Sequence, residues 1–458
     1  MKIDTFLIPA FCSVLVACSA LGKYKPQTEV SPTLYGVSES TDTVSIGDFR
    51  WQEMFTDPIL QEYINVALEN NLDLKAAQEH IKQAEAQLLG AKLAYIPTLG
   101  ITPTFNANFG GEGYSMGSTS FNYNLNVSST WQLNFVRLTN NVRMGKASVQ
   151  QMEDYRQAVL SQLIAAVANN YYTLLMLDSQ LKTEKQMLDS WNESVDMIKY
   201  MKECGMADQV AVSQYTANYD QMMISVMELQ KQIVLCENSL SVLLGSEVKH
   251  GFSRGELLSQ TLPSRIALGV PVRMLALRPD VRAAQREMEL AFYTTKDALL
   301  NFFPLLSING SIGLVNPASG AISPMSLLSG VGASLVAPVL NAGRNIAAYR
   351  AAQSRQRESR INFDNTLLLA GKEVNDAYCD YNARVGMSES YKSRVESLQK
   401  AYDDTEYLMR NSFDKTYLDV LYAQTSFLDA KLKLIENHAR KMQAVVTLYS
   451  ALGGGTIE

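Results

Sequence analysis

The sequence predicts a mixed α and β fold in which long helices alternate with pairs of short β-strands. Three observations carry this. The 458-residue chain repeats itself once along its length, four segments alternate apolar and small polar residues at a period of two, and long proline-free stretches follow helical spacing. Charged residues are 19% and hydrophobic residues 47%, with a formal net charge of −6. That balance argues against a nucleic-acid binder, which needs a basic face to neutralise phosphates. Past the first twenty residues nothing approaches the ~20 uninterrupted apolar residues of a transmembrane helix, so any crossing of a membrane must use strands.

In chain order, Phe6 to Ala17 is a short apolar run ending in Leu15-Val16-Ala17-Cys18. Residues 1-17 therefore read as a signal peptide. The run resembles a bacterial lipoprotein signal, which implies a lipidated Cys18 as the first mature residue and, with Ser19 after it, sorting to the outer membrane. Residues 18-48 are rich in Ser, Thr, Pro and Gly without a helical period and read as a tether. From Asp57-Pro58 the pattern is helical, since Pro58 suits a first turn and Ile59, Leu60, Ile64, Ala67 and Leu68 recur at three- and four-residue spacing. A second helix is expected from about Leu74 to Tyr95, stopping before Pro97.

The repeat organises the remainder. NNLDLKAAQ from Asn70 matches LRPDVRAAQ from Leu277, an offset of 207 residues. The same offset pairs Pro97 with Pro304, Leu133-Asn134 with Leu340-Asn341, Arg137 with Arg344 and Tyr171 with Tyr378. Beyond Tyr407 the offset becomes 208, so one residue is inserted between Tyr407 and about Phe413. The expected domains are a first repeat at 49-245, a connector at 246-275 and a second repeat at 276-455. Each repeat reads as helix, two strands, a long helix, a turn and a returning helix.

The expected strands are about 98-109 and 121-135 in the first repeat, and about 305-314 and 327-340 in the second. In FNYNLNVSSTW, Phe121, Tyr123, Leu125 and Val127 form an apolar side expected to meet lipid, Asn122, Asn124, Asn126 and Ser128 a polar side expected to meet water, and Trp131 is expected nearer the periplasmic interface. Asn140 to Cys204 lacks proline and, at 1.5 Å per residue, extends about 95 Å, and Ala342 to Asn411 is similar. Four strands of this length match tilted outer-membrane strands but cannot close a barrel alone. Two copies give eight strands with a filled interior, and three give twelve with room for a passage.

Enzymatic chemistry finds little support. His80, His250 and His438 are widely separated, with no Cys or carboxylate at ligand spacing, and no GxSxG or P-loop occurs. GVGAS at 330–334 lies inside an expected strand. Cys204, Cys236 and Cys379 form neither a disulfide framework nor a zinc pattern and are expected to be buried thiols. No enzyme, cofactor or metal is expected.

The whole pattern resembles the TolC-like outer-membrane factor family, in particular its efflux lipoprotein branch. The resemblance rests on FRWQEMFTDPILQEYINVALENNLDLKAA (49–77), ALRPDVRAAQREMELA (276–291), PVLNAGR (338–344), TYLDVLYAQTSFLDA (416–430) and VVTLYSALGGG (445–455), which span nearly the whole mature chain in family order. It implies a homotrimeric tube, with a twelve-stranded transmembrane β-barrel, four strands from each chain, above a long α-helical periplasmic barrel. It also implies an outer-membrane exit duct of a tripartite efflux system. Its partners would be outer-membrane lipid, a periplasmic membrane-fusion adaptor and an inner-membrane transporter of the resistance-nodulation-division type. The lipoprotein signal and the RPDVRAAQ pattern favour small molecules as cargo. Metal efflux and type I protein secretion share this architecture, and a non-channel periplasmic helical scaffold is the reading from another class.

The resemblance also places a periplasmic aperture at the second helix turn. Asp419 takes the position of an aperture aspartate and Lys415 that of a basic turn residue. Tyr422 stands where the family has a second acid, and Phe413 where it has a turn glycine. The competing reading is that Asp414, Lys415 and Asp419 cap and solvate a helix start. Gly205, Met206, Val210 and Phe413 are the candidate adaptor-facing helix tips, and Gly205 equally suits a C-terminal cap.

Overall fold

The computed structural model describes residues 22–26, 30, 31, 34, 46–109, 119–261, 278–315, 326–336, 341, 343–411 and 415–455. The first repeat runs α1 (Trp51–Met54), α2 (Pro58–Asn70), α3 (Leu72–Leu93), β1 (Thr98–Phe109), β2 (Thr119–Leu133), α4 (Phe135–Glu203) and α5 (Gln209–Leu243). The second runs α6 (Pro279–Leu300), β3 (Leu305–Val315), β4 (Ser326–Val336), α7 (Arg344–Asn411) and α8 (Tyr417–Ala451). Among the described residues no helix is long and apolar enough to cross a membrane.

The chain divides into two compact units. One takes His80–Glu153 and Ala283–Asp364 with the start of the chain, and holds the sheet. Its strands lie in the order β1-β2-β3-β4, all antiparallel, so the β2–β3 ladder joins the two repeats. β2 ends two residues earlier than expected because Asn134 caps α4, its Oδ1 accepting from the Arg137 backbone N–H at 3.0 Å. β4 is traced to Val336, and residues 337–340 lie outside the described residues. Below the sheet, the Arg137 guanidinium donates from Nε to Asp297 at 2.8 Å and from Nη2 to Asn301.

The other unit comprises Thr28–Glu79, Asp154–Arg282 and Asn365–Glu458. Leu60 and Ile64 of α2, Tyr171 and Leu174 of α4, Leu240 of α5 and Tyr449 of α8 are fully buried in it. Asp57 starts α2 by accepting from the Ile59 backbone N–H at 2.8 Å, and its other oxygen accepts from Tyr171 Oη and Gln260 Nε2, both at 2.7 Å. One carboxylate thus caps a helix and ties it to α4 and the connector. Arg254 of the connector grips Asp178 of α4 at 2.9 Å and Glu237 of α5. In the RPD motif, Arg278 is only 6% exposed, and it donates to the Ala451 carbonyl at 2.8 Å and pairs with Asp280 at 2.5 Å and Glu373 at 2.7 Å. The motif therefore fastens the end of α8 to the start of α6.

The N-terminal segment read as a tether is docked where it is described. Tyr24 packs on Phe292 with ring centroids 5.7 Å apart, and Lys296 Nζ donates to the Gly22 carbonyl at 2.5 Å. Burial, with Glu289 nearby, pushes the Tyr24 phenol up to about 12. Leu34 lies on Gly371, where a Cβ would come 2.7 Å from the Leu34 carbonyl oxygen, so only glycine admits the segment there. The expectation of buried thiols is not met at two positions. Cys204 and Cys379 are exposed, the first beside the turn that ends α4, while Cys236 is half-buried with its Sγ 3.2 Å from Asn170 Oδ1.

Candidate functional site

Two places carry the residues singled out by sequence, apart from Cys18, which lies outside the described residues. The first is the sheet, whose register aligns side chains across all four strands. Ile101 pairs with Val127, Val127 with Ile312 and Ile312 with Ser329, while Pro103, Leu125, Leu314 and Leu327 form the next row. Trp131, Ile308 and Ala333 form a row nearer the helices. Because successive side chains alternate faces, these rows make one continuous apolar face. It is exposed on the single chain, with Leu125 at 40%, Ile101 at 68% and Val331 at 87%. Phe121 and Tyr123 hold register positions on this face, and their side chains lie outside the described residues.

The opposite face is polar. Thr102, Asn126 and Gly313 share one row and Thr130 and Asn309 another. Trp131 closes the lower end, its Nε1 donating to the Tyr95 carbonyl at 3.2 Å where the segment after α3 leads into β1. Among the described residues β1 and β4 each have one edge without a strand partner.

The second place comprises the two helix turns. After α4, Gly205 has φ +75°, its N–H donates to the Lys202 carbonyl at 2.9 Å and the Met206 N–H to the Met201 carbonyl at 2.8 Å, a glycine-terminated helix end. Asp208 then caps α5 by accepting from the Ala211 N–H at 2.8 Å. Met206 and Val210 stand exposed on either side of that cap. At the second turn Phe413 and Asp414 lie outside the described residues, and Lys415 is exposed.

Asp419 forms a capping box with Thr416. Its Oδ2 accepts from the Thr416 backbone N–H and from Thr416 Oγ1, both at 2.8 Å, while the Asp419 N–H donates to Thr416 Oγ1 at 3.4 Å. Those donors, with the charge of Lys415, hold the carboxyl below the usual carboxylate range. The helix-cap reading of Asp419 is thus observed, and an exposed cap is also free to act as a fixed negative charge. Tyr422 is 75% exposed, one turn further along α8.

Sequence reasoning missed the contacts that join the two turns. Tyr215 of α5 donates its hydroxyl to the Tyr417 carbonyl of α8 at 3.0 Å, and its ring lies 5.7 Å from Trp191 of α4. Gln424 of α8, fully buried, reaches Ser190 Oγ of α4 at 3.5 Å, and Tyr402 stacks on Phe427 at 6.0 Å. Trp191, Tyr215 and Phe427, with Met187, Ile198 and Met222, form an apolar core behind the turns, and Tyr402 and Tyr417 pack against it. The one available signal was aromatic residues set close behind both turns.

The chain matches the family model described as outer membrane efflux protein over residues 63–246 and 270–454. It is 25% identical over 463 residues to the toluene efflux pump outer membrane protein TtgC of Pseudomonas putida, covering 97% of this chain and 94% of that one. It is 26% identical to the cation efflux system protein CusC of Escherichia coli over 465 residues, covering 98% and 99%. Among solved structures, the open-state MtrE outer membrane channel of Neisseria gonorrhoeae superposes with a TM-score of 0.82 at 20% identity, covering 95% of this chain and 98% of that chain, which shows the fold.

Proposed function

The chain belongs to the outer membrane efflux protein family, and on that premise we propose that three copies join their sheets edge to edge into a twelve-stranded barrel in outer-membrane lipid. The protein is the outer-membrane channel component of an efflux system. The observation that supports a shared barrel is the four-stranded sheet with one apolar face, one polar face and two free edges among the described residues. An open edge in lipid leaves backbone groups unpaired at several kcal/mol each, so the edges must meet another chain.

In this reading Phe121, Tyr123, Leu125 and Val127 meet lipid, and Cys18 carries a lipid after removal of residues 1-17. The two repeats at 49-245 and 276-455 supply equal shares of barrel and helical tube. Gly205, Met206, Val210 and Phe413 meet a periplasmic membrane-fusion adaptor, and Lys415, Asp419 and Tyr422 stand at the aperture. An inner-membrane transporter of the resistance-nodulation-division type supplies cargo through that adaptor. The duct is passive and its cargo is small molecules. Relatives named for toluene and for cations support a passage that selects weakly.

The test is accumulation in cells lacking the protein. A fluorescent dye, an aromatic solvent and a soft metal cation are each expected to be compared, with at least one rising several-fold and returning to normal when the chain is restored. Unchanged accumulation of all three overturns the efflux reading.

A further inference from the structure

We infer that the walls of the barrel section of the duct carry no fixed charge, so that cargo of either sign passes along them without electrostatic selection. The inference rests on the barrel reading above and extends it to what the barrel admits. None of the four strands, TLGITPTFNANF, TSFNYNLNVSSTWQL, LLSINGSIGLV and SLLSGVGASLV, contains an Asp, Glu, Lys, Arg or His. The register then decides what the water-facing side offers. Its rows are Thr98 with Thr130 and Asn309, Gly100 with Ser128 and Ser311, and Thr102 with Asn126 and Gly313. The Thr, Ser and Asn side chains of these rows donate and accept hydrogen bonds and carry no net charge, and Gly100 and Gly313 add no side chain.

Charges beyond the strands, Glu112 between β1 and β2 among them, stand outside these four segments of the sequence. β2 extends seven residues on either side of Asn126, roughly 23 Å at ~3.3 Å per residue, against a Debye length of ~8 Å at physiological salt. The nearest charge beyond the lower end of β2, Arg137, is already paired with Asp297 at 2.8 Å. Rings of charged side chains are how pores ordinarily discriminate ions, and this section has none to place. The helix turns do carry exposed charge, at Lys415 and Asp419. The walls of the barrel therefore serve as a neutral, hydrogen-bonding sleeve.

The test reads the local potential with thiol reagents of opposite charge. In full-length protein carrying Cys204→Ser, Cys236→Ser and Cys379→Ser and reconstituted in liposomes, Asn126→Cys is treated with a quaternary-ammonium methanethiosulfonate and with its sulfonate counterpart. Leu125→Cys is the control on the apolar face. The expected result is that Asn126→Cys reacts with both reagents at a rate ratio within about threefold of that for a free thiol in solution, while Leu125→Cys stays unreactive. A ratio displaced tenfold or more at Asn126→Cys overturns the neutral barrel and leaves the barrel reading standing. Reaction at Leu125→Cys with none at Asn126→Cys overturns the assignment of the two faces and the proposal with it.

Discussion

The Tyr215 hydroxyl donates to the backbone carbonyl of Tyr417 at 3.0 Å, joining the helix that follows the first turn to the helix that follows the second. Tyr215 is buried, its phenol is pushed up by that burial, and its ring leans on Trp191. Removing the hydroxyl leaves the Tyr417 carbonyl without this partner and keeps the ring packing. Tyr215→Phe is therefore expected to cost about 0.5–1.5 kcal/mol of stability. Because the bond ties the two helix turns, the same variant is expected to raise basal conductance in planar bilayers.

At Asp419 the cap and the charge are separable. Asp419→Asn keeps an oxygen for the Thr416 donors and removes the charge, whereas Asp419→Ala removes both. If three Asp419 side chains ring the aperture, Asp419→Asn lowers cation selectivity and block by divalent cations without loss of helix content. The carboxyl lies below its ordinary value, so it stays charged below the unfolded pKa of ~3.9 and protonates only as pH falls through its lower folded value. Divalent block measured from pH 7 to 5 is expected to be constant, and to fade only under stronger acid.

The Arg278 clamp is expected to matter for folding. Arg278→Gln leaves the Ala451 carbonyl and two carboxylates short of a donor. The carboxylates are partly solvated, which moderates the cost to about 1–3 kcal/mol, read as a lower midpoint in denaturant. Arg278 also holds the Asp280 carboxyl down against the opposing effect of burial. That contribution is complete above the unfolded carboxylate value and is lost as pH falls through the depressed one, so Arg278→Gln should narrow the difference in stability between neutral and acid pH.

On the sheet, neighbouring residues should respond oppositely to the same change. Leu125→Arg puts a charge on the apolar face, at a cost of about 2–4 kcal/mol near the bilayer midplane, and is expected to reduce the assembled protein in outer-membrane fractions. Asn126→Arg, one residue further and on the polar face, is expected to assemble normally. Quantitative blotting of membrane fractions distinguishes the two.

The sheet was legible in the sequence because alternating apolar and small polar residues mark two faces locally, and Leu125 to Ser128 fall on those faces in the register. The helices were legible because proline-free spacing needs no partner to be recognised, and the repeat located their turns. Contacts between distant positions left no local mark. Tyr215 with Tyr417, Arg278 with Ala451, and Leu34 seated on Gly371 are each set by how segments far apart in the chain pack. The exposed Cys204 and Cys379 were misjudged for the same reason, since a thiol's type says little about which helix face it occupies. Asp419 shows a further limit: one residue satisfies both a capping pattern and an aperture pattern, and only the cap is resolved within a single chain.

The most direct test of the shared barrel is the native mass of the detergent-extracted protein. The 458-residue chain is 50.8 kDa. A twelve-stranded barrel built from four strands per chain requires a protein mass of three chains, stable in detergent. A monomer or dimer under those conditions contradicts it, because neither four nor eight strands encloses a passage.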